Sequence, residues 1–307
     1  MDSLAHYPSG LTTKLQGGNS VAEKQIAFNG EIVKMSNALA RAQWTPESIW
    51  EPRIVALVAS KVRADDEDFL VYKIPVAELT GASDENLSGS QYREIAQSIA
   101  HLGKAVVRIQ GSKPRNFRQY NVFGMCGYED GYLIARFDPD LKPHFLHLKE
   151  QFTAYKLLEY LSLPSIYSQR MFEILRSWAD QPSSTIALAE LHEMLNVPDS
   201  MRHNFGEFRR RVLEKAHKDI SEKATLRYAW EPIKEGKAVT AIRFVFSRGE
   251  IAKLEKAKKQ PEHKPALDCW QAKHRTGEKC PIRERGTGGR GKCKICLERI
   301  SIEQFGV

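Results

Sequence analysis

The sequence predicts an α+β protein built from two tandem copies of one small unit, followed by a basic, cysteine-rich tail. Segments with helical and with alternating apolar periodicity occur in the same order in both halves of the chain. A length of 307 residues, 42% of them hydrophobic, is enough for two ordinary cores and excludes wholesale disorder. The net charge of +8 is unevenly spread, since residues 248–307 hold fifteen Lys and Arg against eight Asp and Glu. The main body is therefore nearly neutral.

The first unit is predicted to begin near Ile32, after a flexible arm over residues 1–30. Thr45 as N-cap and Pro46 at the first helical position start a helix whose apolar side chains continue at helical spacing to Val62. A strand over 69–74, short and longer helices over 75–79 and 90–102, and strands over 105–110, 120–126 and 132–137 are predicted to follow. Between the first two of these later strands, residues 111–119 form a basic turn.

The second unit repeats this order. Helices are predicted over 143–160, 167–179, 188–195 and 201–223, and a hairpin with strands over 224–231 and 238–246 closes the unit. The segment Val76-Ala77-Glu78-Leu79 corresponds to Leu188-Ala189-Glu190-Leu191. Three helices followed by a hairpin with a basic tip are the order of a winged helix, whose last helix can enter a major groove. We therefore predict winged-helix domains over 31–142 and 143–248 and a tail over 249–307.

Such units also serve as protein–protein modules, so the helix surfaces have to be compared. In the 201–223 helix, one face is apolar: Phe205, Phe208, Val212, Ala216 and Ile220. The opposite face is polar: His203, Glu207, Arg210, Arg211, Glu214 and Lys218. Outward arginines can bind guanine through two hydrogen bonds, and Asn204 can do the same for adenine. The alternative is a solvated charged face with ion pairs Glu207–Arg211 and Glu214–Lys218. Arg209 is predicted nearest the apolar edge.

The corresponding helix of the first unit is less basic. It presents Ser90, Arg93, Gln97, His101 and then Lys104, with Arg115 and Arg118 in the adjacent hairpin tip. This set suits contacts to phosphates more than contacts to bases. His101 is expected at a solvated helix C-terminus.

The ordered set of segments resembles the iteron-binding plasmid replication initiators. The residues that carry the resemblance are 167–175, 188–191, 195–197, 208–220, 230–237 and 242–246, with a looser match in the first half at 32–42, the Arg53 helix and 92–95. The resemblance implies two winged helices that bind successive major grooves of directly repeated origin sequences. It also implies monomers that open the origin and recruit the host initiator and helicase, and dimers that repress the initiator's own promoter.

The resemblance assigns the DNA contacts residue by residue. Contacts to bases fall on Asn204, Arg210 and Arg211, with Arg202, His203 and Arg209 in the same segment. Contacts to phosphates fall on Arg93, Arg118, Lys234 and Lys237, to which the surface of the first unit adds Gln97, Lys104 and Arg115. No cofactor is required for this function, and no membrane is involved.

The tail has no counterpart in this family. It contains Cys269-x4-His274-x5-Cys280-x12-Cys293-x2-Cys296, which offers five ligands where tetrahedral zinc needs four. The alternative is free thiols in a disordered basic tail, which would add salt-sensitive DNA affinity in either case. Residues 286–292 have the outline of a phosphate loop, but Cys293 replaces the Ser or Thr that holds Mg²⁺, so a hinge is predicted.

Two other functions remain as alternatives. A tandem winged-helix transcription regulator would share the DNA contacts, whereas a strand-nicking initiator would need a metal-binding histidine pair and a nucleophilic tyrosine. The nearest pair is His144-x2-His147, which no acidic cluster accompanies, so the protein is predicted not to be an enzyme. The first twenty residues contain no apolar run typical of a secretion signal. A cytoplasmic protein associated with plasmid DNA or the nucleoid is expected.

Overall fold

The computed structural model describes residues 31–63, 66–80, 87–111, 113 and 115–259, with side chains up to Lys256. The first half contains β1 (Ile32–Ser36), α1 (Asn37–Ala40), α2 (Trp50–Lys61), β2 (Tyr72–Pro75), a 3₁₀ turn (Val76–Thr80), α3 (Gly89–Leu102), β3 (Val106–Gln110), β4 (Phe117–Asn121), β5 (Phe123–Glu129) and β6 (Tyr132–Phe137). A 3₁₀ turn (Pro139–Leu141) and α4 (Lys142–Phe145) connect it to the second half.

The second half contains β7 (Phe152–Lys156), α5 (Leu157–Leu161), α6 (Ile166–Arg176), β8 (Ser183–Ala187), α7 (Leu188–Met194) and α8 (Asp199–Arg202). A continuous helical segment follows over 205–223, composed of α9 (Phe205–Phe208), a π-helical turn (Arg209–Glu214) and α10 (Lys215–Lys223). The hairpin β9 (Ala229–Glu235) and β10 (Ala238–Val245) precedes α11 (Arg248–Lys259). The elements up to Val245 belong to one compact unit that ends at Ile251.

Each half has a three-stranded antiparallel sheet of the same topology. The order is β2-β6-β5 in the first half and β8-β10-β9 in the second. In each sheet the last two strands form the wing, and the first strand is the short one before the 3₁₀ turn or α7. The order of elements thus confirms the predicted duplication and the winged-helix fold of both halves.

The types of the two wing turns are explained by the positive φ angles of their glycines. Asp130 and Gly131 both have positive φ, of 47° and 84°, as a two-residue type I′ hairpin turn requires. In the second wing Gly236 has a φ of 62° at the first central position, which is the pattern of a type II′ turn.

The two halves meet along a short antiparallel ribbon. Strands β1 and β7 pair with Lys34 opposite Ala154, and the amide of Asn37 donates to the carbonyl of Gln151 at 2.8 Å. Because β1 and β7 occupy the same place in the two repeats, a local pseudo-twofold axis relates the two paired strands. Around it, the buried side chains of both halves form one continuous core.

The core contains the apolar faces predicted from helical spacing. In α2, Ile54 and Leu57 are fully buried, and in α3, Ile95 and Ile99 are buried. The largest fully buried rings are Phe137, Tyr160, Phe172, Phe208 and Phe244. Each such side chain contributes about 1.5–3 kcal/mol relative to an exposed one.

The helix predicted over 143–160 is wrong. The structure has α4, a loop, strand β7 and α5 in this region. His147 and Gln151 have φ values of 53° and 51°, in the left-handed region that an α-helix excludes. The pairing of β7 with β1 stabilises the extended backbone between Gln151 and α5. Because β1 is distant in sequence, the residues around β7 do not indicate this pairing.

Other boundaries also differ from the predictions. The strand β8 was not predicted, and the strand predicted over 120–126 is interrupted at Val122, where β4 ends and β5 begins. The predicted strands over 69–74 and 224–231 are shifted toward their C-terminal ends. Among the described residues, no helix has the length and apolarity needed to cross a membrane.

Candidate nucleic-acid interface

The 205–223 segment packs against the core with the face that its sequence predicts. Phe208, Val212, Ala216 and Ile220 are fully buried, and Phe205 is half-buried. Asn204 is the N-cap, since its Oδ1 accepts from the backbone N–H of Glu207 at 3.2 Å. The helix predicted over 201–223 is therefore interrupted before residue 205, because α8 ends at Arg202 and Asn204 has a non-helical backbone. The cap satisfies a backbone N–H of the first turn of the segment.

Three consecutive arginines lie on the exposed side of this segment. The side chains of Arg209, Arg210 and Arg211 are 54%, 65% and 64% exposed. The π-helical turn begins at Arg209, and π-turns are frequent at functional sites. Arg209, predicted nearest the apolar edge, is the least exposed of the three. We refer to these three residues as the arginine row.

Two glutamates hold the arginine row. Glu207 pairs with both Arg210 and Arg211, with a distance of 2.8 Å from Arg211 Nε to Glu207 Oε2. Glu214 pairs with Arg209 at 3.2 Å, in place of the predicted pair with Lys218. Exposed pairs of this kind contribute about 0–1 kcal/mol, which DNA contacts of the same guanidinium groups can replace at little cost. The pairs therefore arrange the arginines and leave them able to bind a polyanion.

The two residues before the cap differ in their surroundings. Arg202 is half-buried, and its guanidinium donates to the carbonyl of Val197 at 2.6 Å and pairs with Glu193. His203 is exposed and ends α8. Arg202 thus contacts the domain itself, and His203 faces solvent beside the arginine row.

The second wing places two lysines at its tip. Lys234 and Lys237 are exposed on either side of Gly236, as the sequence predicts. Lys215 and Lys218 are exposed on the 205–223 segment as well. The predictions omitted Lys215, although its position four residues after Arg211 places it on the same side of a helix. These cations add to the exposed positive charge of the second half.

In the first half, α3 is the counterpart of the 205–223 segment. A capping box between Ser88 and Gln91 starts it; Arg93 and Gln97 are exposed along it, and Lys104 is exposed two residues after its end. His101 is not simply solvated, because its ring nitrogens lie 3.0 Å from Glu51 and 3.2 Å from Glu47. These three residues bring possible metal-ligand atoms within 4.8 Å of one another. Burial raises the pKa of Glu51, and the contacts among the three side chains connect α3 to α2.

The basic hairpin of the first half is not its wing. Arg115 and Arg118 belong to the two-stranded ribbon β3–β4, which is inserted between α3 and the wing and pairs through Arg108 with the backbone of Gln43. The tip of the wing itself, at Glu129 and Asp130, is acidic. The hairpin tip predicted next to α3 is therefore the tip of this ribbon, with Arg115 in its loop and Arg118 as the second residue of β4.

The ribbon still offers cations. Residues 106–121 contain four Lys and Arg and no Asp or Glu. Lys113, Arg115 and Arg118 are exposed, and the Arg108 guanidinium lies 3.7 Å from the ring centroid of Phe117. The predictions omitted Lys113 as a site residue, although the same basic turn contains it.

The remaining candidate groups are the two histidines near α4, Cys126 and the cysteines and histidine of the tail. His144 Nδ1 lies 2.8 Å from Ser36 Oγ and its ring packs edge-on to Tyr120, while His147 lies beyond the end of α4. Burial raises the pKa of the Cys126 thiol to about 12, so this cysteine is protonated at neutral pH. The five proposed zinc ligands, Cys269, His274, Cys280, Cys293 and Cys296, lie outside the described residues.

Comparisons with known proteins agree with this architecture. Residues 32–176 match the family described as "Initiator Replication protein, WH1", and residues 187–246 match "Initiator Rep protein, WH2". The chain is similar in structure to the Pi initiator protein, solved in complex with iteron DNA, with a TM-score of 0.55, 20% identity, and coverage of 71% of this chain and 98% of that one. A weaker likeness to domains 2 and 3 of RctB has a TM-score of 0.38 and 14% identity, over 64% of this chain and 80% of that one.

Proposed function

The chain belongs to the initiator replication protein family, and from this premise we propose that it initiates plasmid replication by binding directly repeated origin sequences, or iterons. The observation that carries the proposal is the arginine row, exposed on the 205–223 segment whose opposite face is buried in the core. A helix in this position of a winged helix enters the major groove. The similarity to the Pi initiator supports the fold of both halves.

The proposed contacts divide into two kinds. Arg210 and Arg211, with Asn204 and His203 beside them, contact base edges, while Arg209 and the wing lysines Lys234 and Lys237 contact phosphates. In the first half, phosphates are contacted by exposed side chains on α3, just after it and on the ribbon: Arg93, Gln97, Lys104, Arg115 and Arg118. Arg202, with its guanidinium bound to Val197 and Glu193, stabilises the end of α8 just before the segment and does not contact DNA. Sequence preference then depends mostly on the second half.

Further parts of the proposal concern partners. Monomers bound to iterons open the origin and recruit the host initiator and helicase, and dimers repress the initiator's own promoter. The protein acts in the cytoplasm on plasmid DNA, and no catalytic step is assigned to its residues. The tail is proposed to bind one Zn²⁺ through four of its five Cys and His ligands, on the support of the terminal Cys293-x2-Cys296 pair.

The test is footprinting of the full-length protein on DNA flanking its own gene. We expect several evenly spaced protected segments over direct repeats, with melting of neighbouring AT-rich DNA detected by permanganate. Protection of a single inverted operator without melting would favour the alternative of a transcription regulator. Relaxation of supercoiled origin DNA in the presence of Mg²⁺ or Mn²⁺ would instead indicate a strand-nicking enzyme.

A further inference from the structure

The interface between the two halves is built on equivalent residues of the duplication. Ser48-Ile49-Trp50 and Arg53 at the start of α2 correspond to Ser165-Ile166-Tyr167 and Arg170 at the start of α6. Arg53 Nη2 donates to the carbonyl of Leu163 at 3.3 Å, and Arg170 Nη2 donates to the carbonyl of Ala42 at 2.7 Å. Each arginine therefore reaches the other half, on opposite sides of the β1–β7 pairing.

The Arg170 side of this interface is buried. Arg170 pairs with Glu173, and Glu173 also accepts from the hydroxyl of Tyr155 at 2.9 Å. Arg170 and Glu173 are 3% and 4% exposed, so removing either would leave an uncompensated charge in the core. These residues contribute to folding and are unsuitable as probes of domain spacing.

A second set of contacts lies nearer the surface. Arg41 donates from Nε to Ser177 Oγ at 2.7 Å and from Nη2 to the Ser177 carbonyl at 2.6 Å, and its guanidinium lies 3.4 Å from the ring centroid of Trp178. Three contacts from one planar group fix both distance and angle between α1 and the end of α6. Arg41 thus holds the two halves in one orientation.

The contact at Gln43 leads directly to the DNA-binding segment. Gln43 Nε2 donates to Glu193 Oε2 at 3.0 Å, and the other oxygen of Glu193 pairs with Arg202 at the end of α8. The backbone of Gln43 is paired on its other side with Arg108 of the β3–β4 ribbon, at 2.9 Å in both directions. Elements that would contact DNA in the first half are therefore connected to the start of the 205–223 segment.

We propose that Arg41 and Gln43 are positioning residues that set the number of base pairs between the two half-sites of each iteron. This inference rests on the proposed function, since it requires both halves to bind one DNA site. One inserted base pair moves one half-site by about 3.4 Å along the axis and about 35° around it. If the interface is rigid, the two halves cannot follow that displacement and the protein loses affinity. If the interface is loosened, the halves can move with their half-sites and more of the affinity is retained.

The experiment measures the affinity of the full-length protein for three duplexes by fluorescence anisotropy. They are an iteron identified by footprinting and versions with one base pair inserted or removed between the segments that the two halves protect. We expect the wild type to lose about tenfold or more on the altered duplexes, as for a mismatched base pair. The Arg41→Ala, Gln43→Ala double variant is expected to lose severalfold less than the wild type on the altered duplexes, since the β1–β7 pairing and the shared core still join the halves. Arg63→Ala, which changes an exposed arginine of the first half, serves as control and retains the wild-type ratio.

The outcomes separate this inference from the function on which it rests. Failure of the wild type to bind any repeat would refute the proposed function itself. A wild type that binds but tolerates altered spacing would refute the positioning role, as would a double variant that keeps the wild-type ratio. If the double variant does not fold, Gln43→Ala and Arg41→Lys are measured singly. A uniform loss on all three duplexes, with the ratio unchanged, would show that the contacts only stabilise the protein.

Discussion

At the scale of single residues, the readiness of the arginine row to bind DNA depends more on its pairing with glutamates than on the number of cations. Three arginines share two glutamates, and Glu207 binds two of them. The pairs keep the guanidinium groups extended over the exposed side of the segment before DNA arrives. Because the pairs are exposed, exchanging them for base or phosphate contacts costs little.

The arginine row and the wing lysines are expected to respond differently to mutation. Arg210→Ala should lower affinity for the specific site by about 1–3 kcal/mol and relax the preference at one base pair. Lys237→Ala should weaken specific and random DNA alike and lower the slope of log affinity against log salt by about one. Binding titrations of both variants on an iteron and on random duplex, at several salt concentrations, provide the check. An equal loss on both DNAs for Arg210→Ala would contradict its contact to a base.

At the scale of elements, the start of the 205–223 segment has two roles. Asn204 caps the helix through Oδ1, and its position beside the arginine row also makes it a candidate contact to adenine. Replacing the Asn204 side chain by alanine does not separate these two roles, because it removes both. Serine also caps helices but lacks the amide that binds adenine through two hydrogen bonds.

Asn204→Ala is expected to lower the free energy of unfolding by about 1 kcal/mol through loss of the cap, while Asn204→Ser retains most of it. If Asn204 contacts a base, both variants lose affinity for the iteron to a similar extent. Urea unfolding and DNA titration of the two variants measure the two effects separately. Full iteron affinity in Asn204→Ser would assign this residue to helix capping alone.

At the scale of the whole molecule, net charge and sequence preference are located in different parts of the chain. Residues 248–307 hold fifteen Lys and Arg against eight Asp and Glu, while the rest of the chain, which contains both winged helices, is nearly neutral. Bulk electrostatic attraction to DNA is therefore strongest in the tail, and selectivity depends on the direction of a few side chains on the folded halves.

Zinc binding is a prediction about the tail within the complete chain. Full-length protein purified without chelator should contain about one zinc per chain, as four tetrahedral ligands require. Cys293→Ser with Cys296→Ser should lose it, whereas Cys126→Ser, which removes a half-buried thiol of the first half, should retain it. Elemental analysis of the three proteins decides the matter. A wild type without zinc would favour the alternative of free thiols.

The outcome of the sequence predictions depends on how local each signal is. The apolar face of Phe208, Val212, Ala216 and Ile220 was predicted because helical spacing is a local property. The helix over 143–160 was wrong because β7 is stabilised by β1, more than a hundred residues away. Arg115 and Arg118 were placed in the hairpin next to α3 because a basic turn between two strands is also a local pattern. The contact residues for DNA remain predictions.

The sequence by itself determined the duplication, the helices followed by a hairpin in each half, and the uneven charge, since these follow from composition and short-range periodicity; the family resemblance rests on the residues of particular segments. Only the tertiary structure decided that β1 pairs with β7, that Gln43 binds Glu193, and that the Arg41 guanidinium packs on Trp178. These contacts depend on how the chain brings distant segments together, and neither spacing nor composition records that arrangement. The relation between the two DNA-binding halves belongs to this second group.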